Sequence, residues 1–189
     1  MAEPATTISK SDLIEGLRKT GAEAASRLRA APPEAFERGR YENGWTARQI
    51  LAHVAAIEWT YTRLLDIARQ ADGSGTSQAP PGPVRRTSPE ESGGLPTMEP
   101  RVSIDDYNAR QVEKRAGASV DELIGEFETN RAATIAAVEG ADDALLQTPI
   151  RSAGGITGAL AAVISAVAID HVMSHVGDVL GEPWSGQRW

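Results

Sequence analysis

His53, His171 and His175 are the only imidazoles in a chain of 189 residues, and the last two stand four apart. On a helix such a pair projects from one side, so two ring nitrogens can converge on a single ion. Around the helix expected from residue 46, taking Ile50 as zero, Val54 falls near about 40°, Ile57 near about −20° and His53 near about −60°, so His53 looks inward with the apolar stripe. In the last helix the stripe of Leu160, Ile164 and Val167 extends through His171, His175 and Asp178. The three rings are therefore expected to face one another across a core. Neutral imidazole suits Zn, Ni, Cu or Fe, and three such ligands leave at least one coordination position open for solvent or a thiol. No ligand in the set neutralises the ion, which would lower the pKa of a bound water or thiol by several units.

Asp170 and Asp178 flank the pair and can each accept the second ring N–H of a ligand histidine. Glu58 falls near about 80° on its helix and reads as a surface or supporting group rather than a ligand.

Helices must carry these residues. Ser9-x-x-Asp12 opens a first helix over residues 9–30, with Leu13, Leu17, Ala24 and Leu28 inward and Pro32-Pro33 ending it. The turn signal Asn43-Gly44 and the cap Thr46-x-x-Gln49 open the second, whose stripe runs Ile50, Val54, Ile57, Tyr61, Leu64, Ala68. From Asp72 to Pro100, 15 of 29 residues are Pro, Gly or Ser and periodicity is lost, which reads as a long mobile loop. Ser103-x-x-Asp106 caps a short helix that stops near Gly117, and Ser119-x-x-Glu122 caps a longer one lined by Leu123, Phe127, Thr134 and Val138 and closed at Gly140. The last helix is expected from about Thr157 to Leu180 and, being apolar on nearly every face, belongs at the centre of the fold. The cluster Gly154-Gly155 and Gly158 reads as its entry turn, with no phosphate-binding spacing. Alternating strand patterns are missing. The expected architecture is all-α: an antiparallel four-helix bundle with a short extra helix, forming one domain over residues 1–189.

Composition narrows the function classes. A formal charge of −7 leaves no basic face for phosphate, so nucleic acid is not an expected partner. With no cysteine, the chain has no disulfide, thiolate metal site or nucleophilic thiol of its own. The N-terminus lacks a secretory pattern, and the longest apolar run, Gly158 to Ile169, falls short of a membrane span, so a cytoplasmic protein without membrane attachment is expected.

Three stretches carry a family resemblance: Gly44-Trp45-Thr46-Ala47-Arg48-Gln49-Ile50-Leu51-Ala52-His53, then Asn108-Ala109-Arg110-Gln111-Val112, then His171-x-x-x-His175-x-x-Asp178-Val179-Leu180-Gly181. In order and spacing they resemble the DinB-like superfamily, and within it the mycothiol-dependent maleylpyruvate isomerase N-terminal-type proteins. The resemblance covers nearly the whole chain apart from the Pro/Gly/Ser loop and the extreme N-terminus. It implies a four-helix bundle whose divalent ion (Zn, Ni or Fe) is held by one histidine of the second helix and two residues of the last, here His53, His171 and His175. It also implies chemistry with a low-molecular-weight thiol such as mycothiol: S-transfer or isomerisation of a small electrophilic substrate, in a homodimer. A chain without cysteine supplies no thiolate of its own, which suits a thiol cosubstrate and fits other chemistries equally well. Against the isomerase pattern the chain is expected to lack the separate C-terminal domain, and its long loop has no obvious counterpart, so the isomerases' substrate is not carried over.

Arg48, Arg63, Arg110 and Arg131 are candidates for an anionic group and equally read as solvated charges. Trp45 reads as a staple of the second helix, and Trp184 and Trp189 as packing over the bundle end or a partner chain. Arg85-Arg86 is too short a basic run to signify. The leading expectation is a metal-dependent thiol S-transferase or isomerase. Its competitors are a non-catalytic metal-binding or stress-response module and a dimerisation scaffold with hydrogen-bonded core histidines.

Overall fold

A computed structural model describes residues 7–39, 44–71 and 103–182. The expected loop at 72–100 with Arg85-Arg86, together with Trp184 and Trp189, lies outside these residues.

Among the described residues the chain is mostly helical: α1 (Lys10–Ala30), α2 (Ala47–Glu58), α3 (Thr62–Ala71), α4 (Ile104–Glu113), α5 (Val120–Glu139), α6 (Asp143–Leu146), α7 (Leu160–Ile164) and α8 (His171–Leu180). The start signals act as expected. Thr46 and Ser119 each form a reciprocal capping box with the residue three on, Gln49 and Glu122, while Ser9 and Ser103 accept from the backbone N–H of Asp12 and Asp106. Gly44 takes a positive φ of 80°, which only glycine adopts cheaply, just before the α2 cap. At the far end of α5, Lys10 Nζ donates to the carbonyls of Glu139 and Ala141 at 2.6 and 2.7 Å, supplying positive charge where a helix C-terminus needs it.

Several expectations need correction. The second helix is not continuous: a 3-10 turn at Trp59–Tyr61 separates α2 from α3. Thr60 and Thr62 donate their hydroxyls to the carbonyls three residues back, on Ile57 and Trp59, which tightens the winding. The last helix starts at Leu160 rather than Thr157, because residues 157–159 form a strand, β2 (Thr157–Ala159), paired antiparallel with β1 (Pro149–Arg151). The glycine cluster therefore turns a short hairpin, with Gly155 at φ 89°, and does not enter the helix directly. Between α7 and α8, residues Ser165–Asp170 wind as a π-helix.

The most enclosed element is α2 and not the last helix. Every residue from Ile50 to Glu58 is buried, since α4, α5 and α8 pack around it and the small Ala52, Ala55 and Ala56 let them approach. By contrast α8 buries only Val172, Val176 and Val179 fully. By length and composition Leu160–Leu180 is apolar enough to cross a membrane, with a mean hydropathy of 1.5, and 39% of that window is buried inside the fold. Core helices meet the same criterion.

The apolar interior has two parts. One gathers Leu13, Leu17, Ile57, Leu65, Val138 and Ile164; the other gathers Ala24, Leu28, Ile50, Val54, Phe127 and Val176. Where they meet, α2 contributes Glu58 and α5 contributes Arg131 and Thr134, all buried. A polar layer thus crosses the core at mid-height. Gly21 on α1 makes room for it, since a Cβ there would stand 3.0 Å from Arg131 Cγ.

Candidate metal centre

His53 lies on α2 between the buried Ile50 and Val54 and is itself 5% exposed. His171 and His175 occupy the first turn and a half of α8, on the flank of the Val172/Val176 stripe, and are only partly buried. The ring centroids are 4.3 Å apart for His171 and His175, 5.2 Å for His53 and His175, and 5.9 Å for His53 and His171. One nitrogen from each ring lies within 4.8 Å of the other two. Two segments more than a hundred residues apart thus meet at a common centre open to solvent on the α8 side, where His175 keeps 13% of its side-chain surface.

Electrostatics favour neutral rings at His53 and His171. Burial, reinforced by the neighbouring His175 and His171, pushes His53 down to about 3. His171 is also lowered to about 3, by burial and then by His175, against the opposing pull of a hydrogen bond to the Val167 carbonyl and of Asp178. Neutral imidazole is the ligand form. His53 Nδ1 is buried and has no hydrogen-bond partner, an unusual expense for a polar atom and one that an ordinary core histidine avoids. Three lone-pair donors, with no thiolate or carboxylate among them, suit a first-row divalent ion.

The supporting groups divide unequally. Asp178 Oδ2 lies 3.2 Å from His175 Nδ1; Asp170 is exposed, and its carboxyl is raised by partial burial. Trp45 packs against the core half that contains α2 and also stands with its ring 5.5 Å from that of His53, so it walls the centre as well as stapling the helix.

The arginines go elsewhere. Arg48 donates to the Ala118 carbonyl, Arg63 lies over the Trp59 ring at 5.5 Å and Arg110 is exposed on α4. Arg131 and Glu58 overturn the surface reading: the arginine is 3% and the glutamate 0% exposed. Arg131 Nε stands 2.7 Å from Glu58 Oε1, and Nη2 donates to Oε2 at 3.0 Å. Burial pushes the Glu58 carboxyl up to about 7, with Arg131 opposing. Arg131 Nη2 also donates to the Ala168 carbonyl, and Nη1 reaches that of Leu17 at 3.4 Å.

Sequence reasoning missed this pair, although one signal was present. Arg131 falls in phase between Phe127 and Thr134 on the buried stripe of α5, where a charge requires a partner. It missed Tyr61 as more than an apolar position, because the phenolic O–H donates to the Val167 carbonyl at 2.7 Å inside the π segment.

A model of the DinB superfamily matches residues 16–179. No curated protein matches the chain. Among solved structures, the crystal structure of the mycothiol-dependent maleylpyruvate isomerase is similar at a TM-score of 0.63 and 18% identity, covering 93% of this chain and 62% of the isomerase chain. The chain therefore spans about three fifths of that protein's length, and the likeness is one of fold.

Proposed function

The chain belongs to the DinB superfamily, and from that premise we propose that it is a divalent-metal enzyme in which His53, His171 and His175 hold one Zn, Ni or Fe ion. The observation that carries the proposal is the meeting of three imidazoles from α2 and α8, two of them held neutral by burial and one of these with a buried nitrogen lacking any partner. When bound, such an ion supplies Lewis acidity that lowers the pKa of a coordinated water or thiol.

The chain's own residues do the rest. In this reading His175 Nδ1–H donates to Asp178 Oδ2, which leaves that ring's lone pair on Nε2. Trp45 and the apolar surroundings of His53 keep water from one side of the centre, leaving approach from the α8 side. The chain has no cysteine, so the nucleophile for S-transfer or isomerisation comes from a thiol cosubstrate such as mycothiol. Its sulfur bonds to an electrophilic carbon as the π bond at that carbon breaks, and the proton the thiol releases to solvent is balanced by one taken up at the neighbouring carbon. The proposed setting is an antiparallel four-helix bundle forming a single domain, in a cytoplasmic homodimer.

The test is metal analysis after purification without chelator, for Zn, Ni and Fe, on the wild type and His171→Ala. A thiol-transfer screen with mycothiol and other small thiols accompanies it. One ion per chain in the wild type, lost in the variant, is the expected result. A wild type that takes up no ion under metal-replete conditions overturns the proposal.

A further inference from the structure

Three large apolar side chains stand exposed among the described residues, Trp59 at 37%, Ile67 at 43% and Ile104 at 44%. The chain gathers them toward one end of the α2–α4 pair. Arg48, in the first turn of α2, donates to the carbonyl of Ala118 just past the end of α4, and α4 packs along α2. The two helices therefore run antiparallel, and Ile104 at the start of α4 lies toward the last turn of α2. Trp59 falls about 20° from Arg48 around the helix, so it continues the stripe on which α4 sits. Arg63 and Ile67 follow at intervals of four, the guanidinium lying 5.5 Å over the Trp59 ring.

The charges around this patch have two signs. On α3, Asp66 is taken by Arg69 at 2.9 Å, whereas Arg63 has no carboxylate partner among the described residues. On α4, Asp105 and Asp106 are exposed, and neither forms an ion pair among the described residues. An apolar centre with a cation on one flank and anions on the other matches a second copy of itself after a half-turn. A partner of one sign would satisfy one flank and be repelled by the other. At −7 per chain two copies repel at long range, so a contact between them has to be locally complementary in this way.

We infer that Trp59, Ile67 and Ile104 form the centre of an isologous interface between two copies of this chain, with Arg63 of each copy paired to Asp105 and Asp106 of the other. Trp and Arg are side chains that dominate the energy of such contacts, and the stack of Arg63 on Trp59 holds both in place before association. This face rests on the homodimer of the proposed function and is independent of the metal centre.

Sedimentation equilibrium on the full chain reads the assembly for the wild type, for Arg63→Glu, and for Asp105→Lys combined with Asp106→Lys. The wild type is expected to dimerise. Each charge variant sets like charges against each other at both contacts and should weaken the dimer by at least about 100-fold. Mixing the two variants is the third arm. In the mixed dimer the introduced carboxylate faces the introduced ammonium groups at one contact, and native Arg63 faces native Asp105 and Asp106 at the other. Its affinity should return to within about tenfold of the wild type. Ile67→Glu, at an exposed position that leaves the first turn of α4 intact, guards against misfolding of the α4 variant and should likewise be monomeric. A monomeric wild type overturns this face and the homodimer together, while metal analysis of the same sample decides the metal proposal separately. A dimeric wild type whose variants all stay dimeric overturns this face alone. Variants that dissociate and do not recover on mixing overturn the charge pairing.

Discussion

Asp178 Oδ2 stands 3.2 Å from His175 Nδ1, about one helical turn along α8, so a carboxylate backs the imidazole. Such a partner fixes the tautomer and raises the basicity of the ring. Asp178→Ala is expected to weaken zinc binding by about 10–100-fold. Its side chain is 29% exposed, so the melting temperature of the metal-free protein should hardly move. Competition against a chromophoric chelator, set beside a thermal melt, checks both halves.

His53→Gln removes the one imidazole that α2 contributes to the proposed metal site. Saturating metal at about 100 times its Kd should stabilise the wild type by about 2.7 kcal/mol, and the variant by almost nothing. Chemical denaturation with and without zinc measures the difference. Equal stabilisation of both proteins would place the ion elsewhere.

Acid should destabilise the metal-free protein in a defined window. His53 and His171 are lowered to about 3 in the fold and return to about 6.5 on unfolding. Between these values the unfolded chain binds two more protons, so stability falls as pH drops. Glu58, raised to about 7 from 4.5, acts in the opposite sense: between about 4.5 and 7 the folded state holds one proton more than the unfolded. These three groups together contribute a fall of about one proton's worth, roughly 1 kcal/mol per pH unit, from pH 6.5 to 4.5, and about twice that below. Urea midpoints across this range read it, and the double variant His53→Gln/His171→Gln should reverse its sign above pH 4.5.

The central ion pair predicts an asymmetry. Arg131→Met alone leaves Glu58 buried without its counter-charge and should cost about 3–5 kcal/mol, whereas adding Glu58→Leu should restore most of the loss. A double-mutant cycle in denaturant gives the coupling directly. If both single variants matched the wild type in stability, the pair would have no structural part.

Much of this molecule was legible because it rests on local periodicity. Caps at Ser9, Thr46, Ser103 and Ser119 and the inward stripe of Leu13, Leu17, Ala24 and Leu28 follow from spacing alone, as does the inward turn of His53. The corrections share a different origin. Trp59–Tyr61 and Ser165–Asp170 depart from the α-helix because particular hydroxyl and guanidinium groups draw backbone carbonyls toward them, and an assumed 100° per residue does not register such captures. The pairing of Glu58 with Arg131 joins positions 73 apart, a separation that carries no pattern. The enclosure of α2 depends on alanines, which a stripe of large residues passes over.

The π turn at Ser165–Asp170 separates two tasks that one helix would otherwise have to combine. Upstream, Leu160 and Ile164 seal one half of the interior; downstream, two imidazoles face the α2 histidine. Removing a single residue from the segment would reset the pitch and swing the downstream half by about 100°. Residue count between Ile164 and His171 is therefore under as strict a constraint as the identity of either neighbour, and chain length here behaves like a side chain.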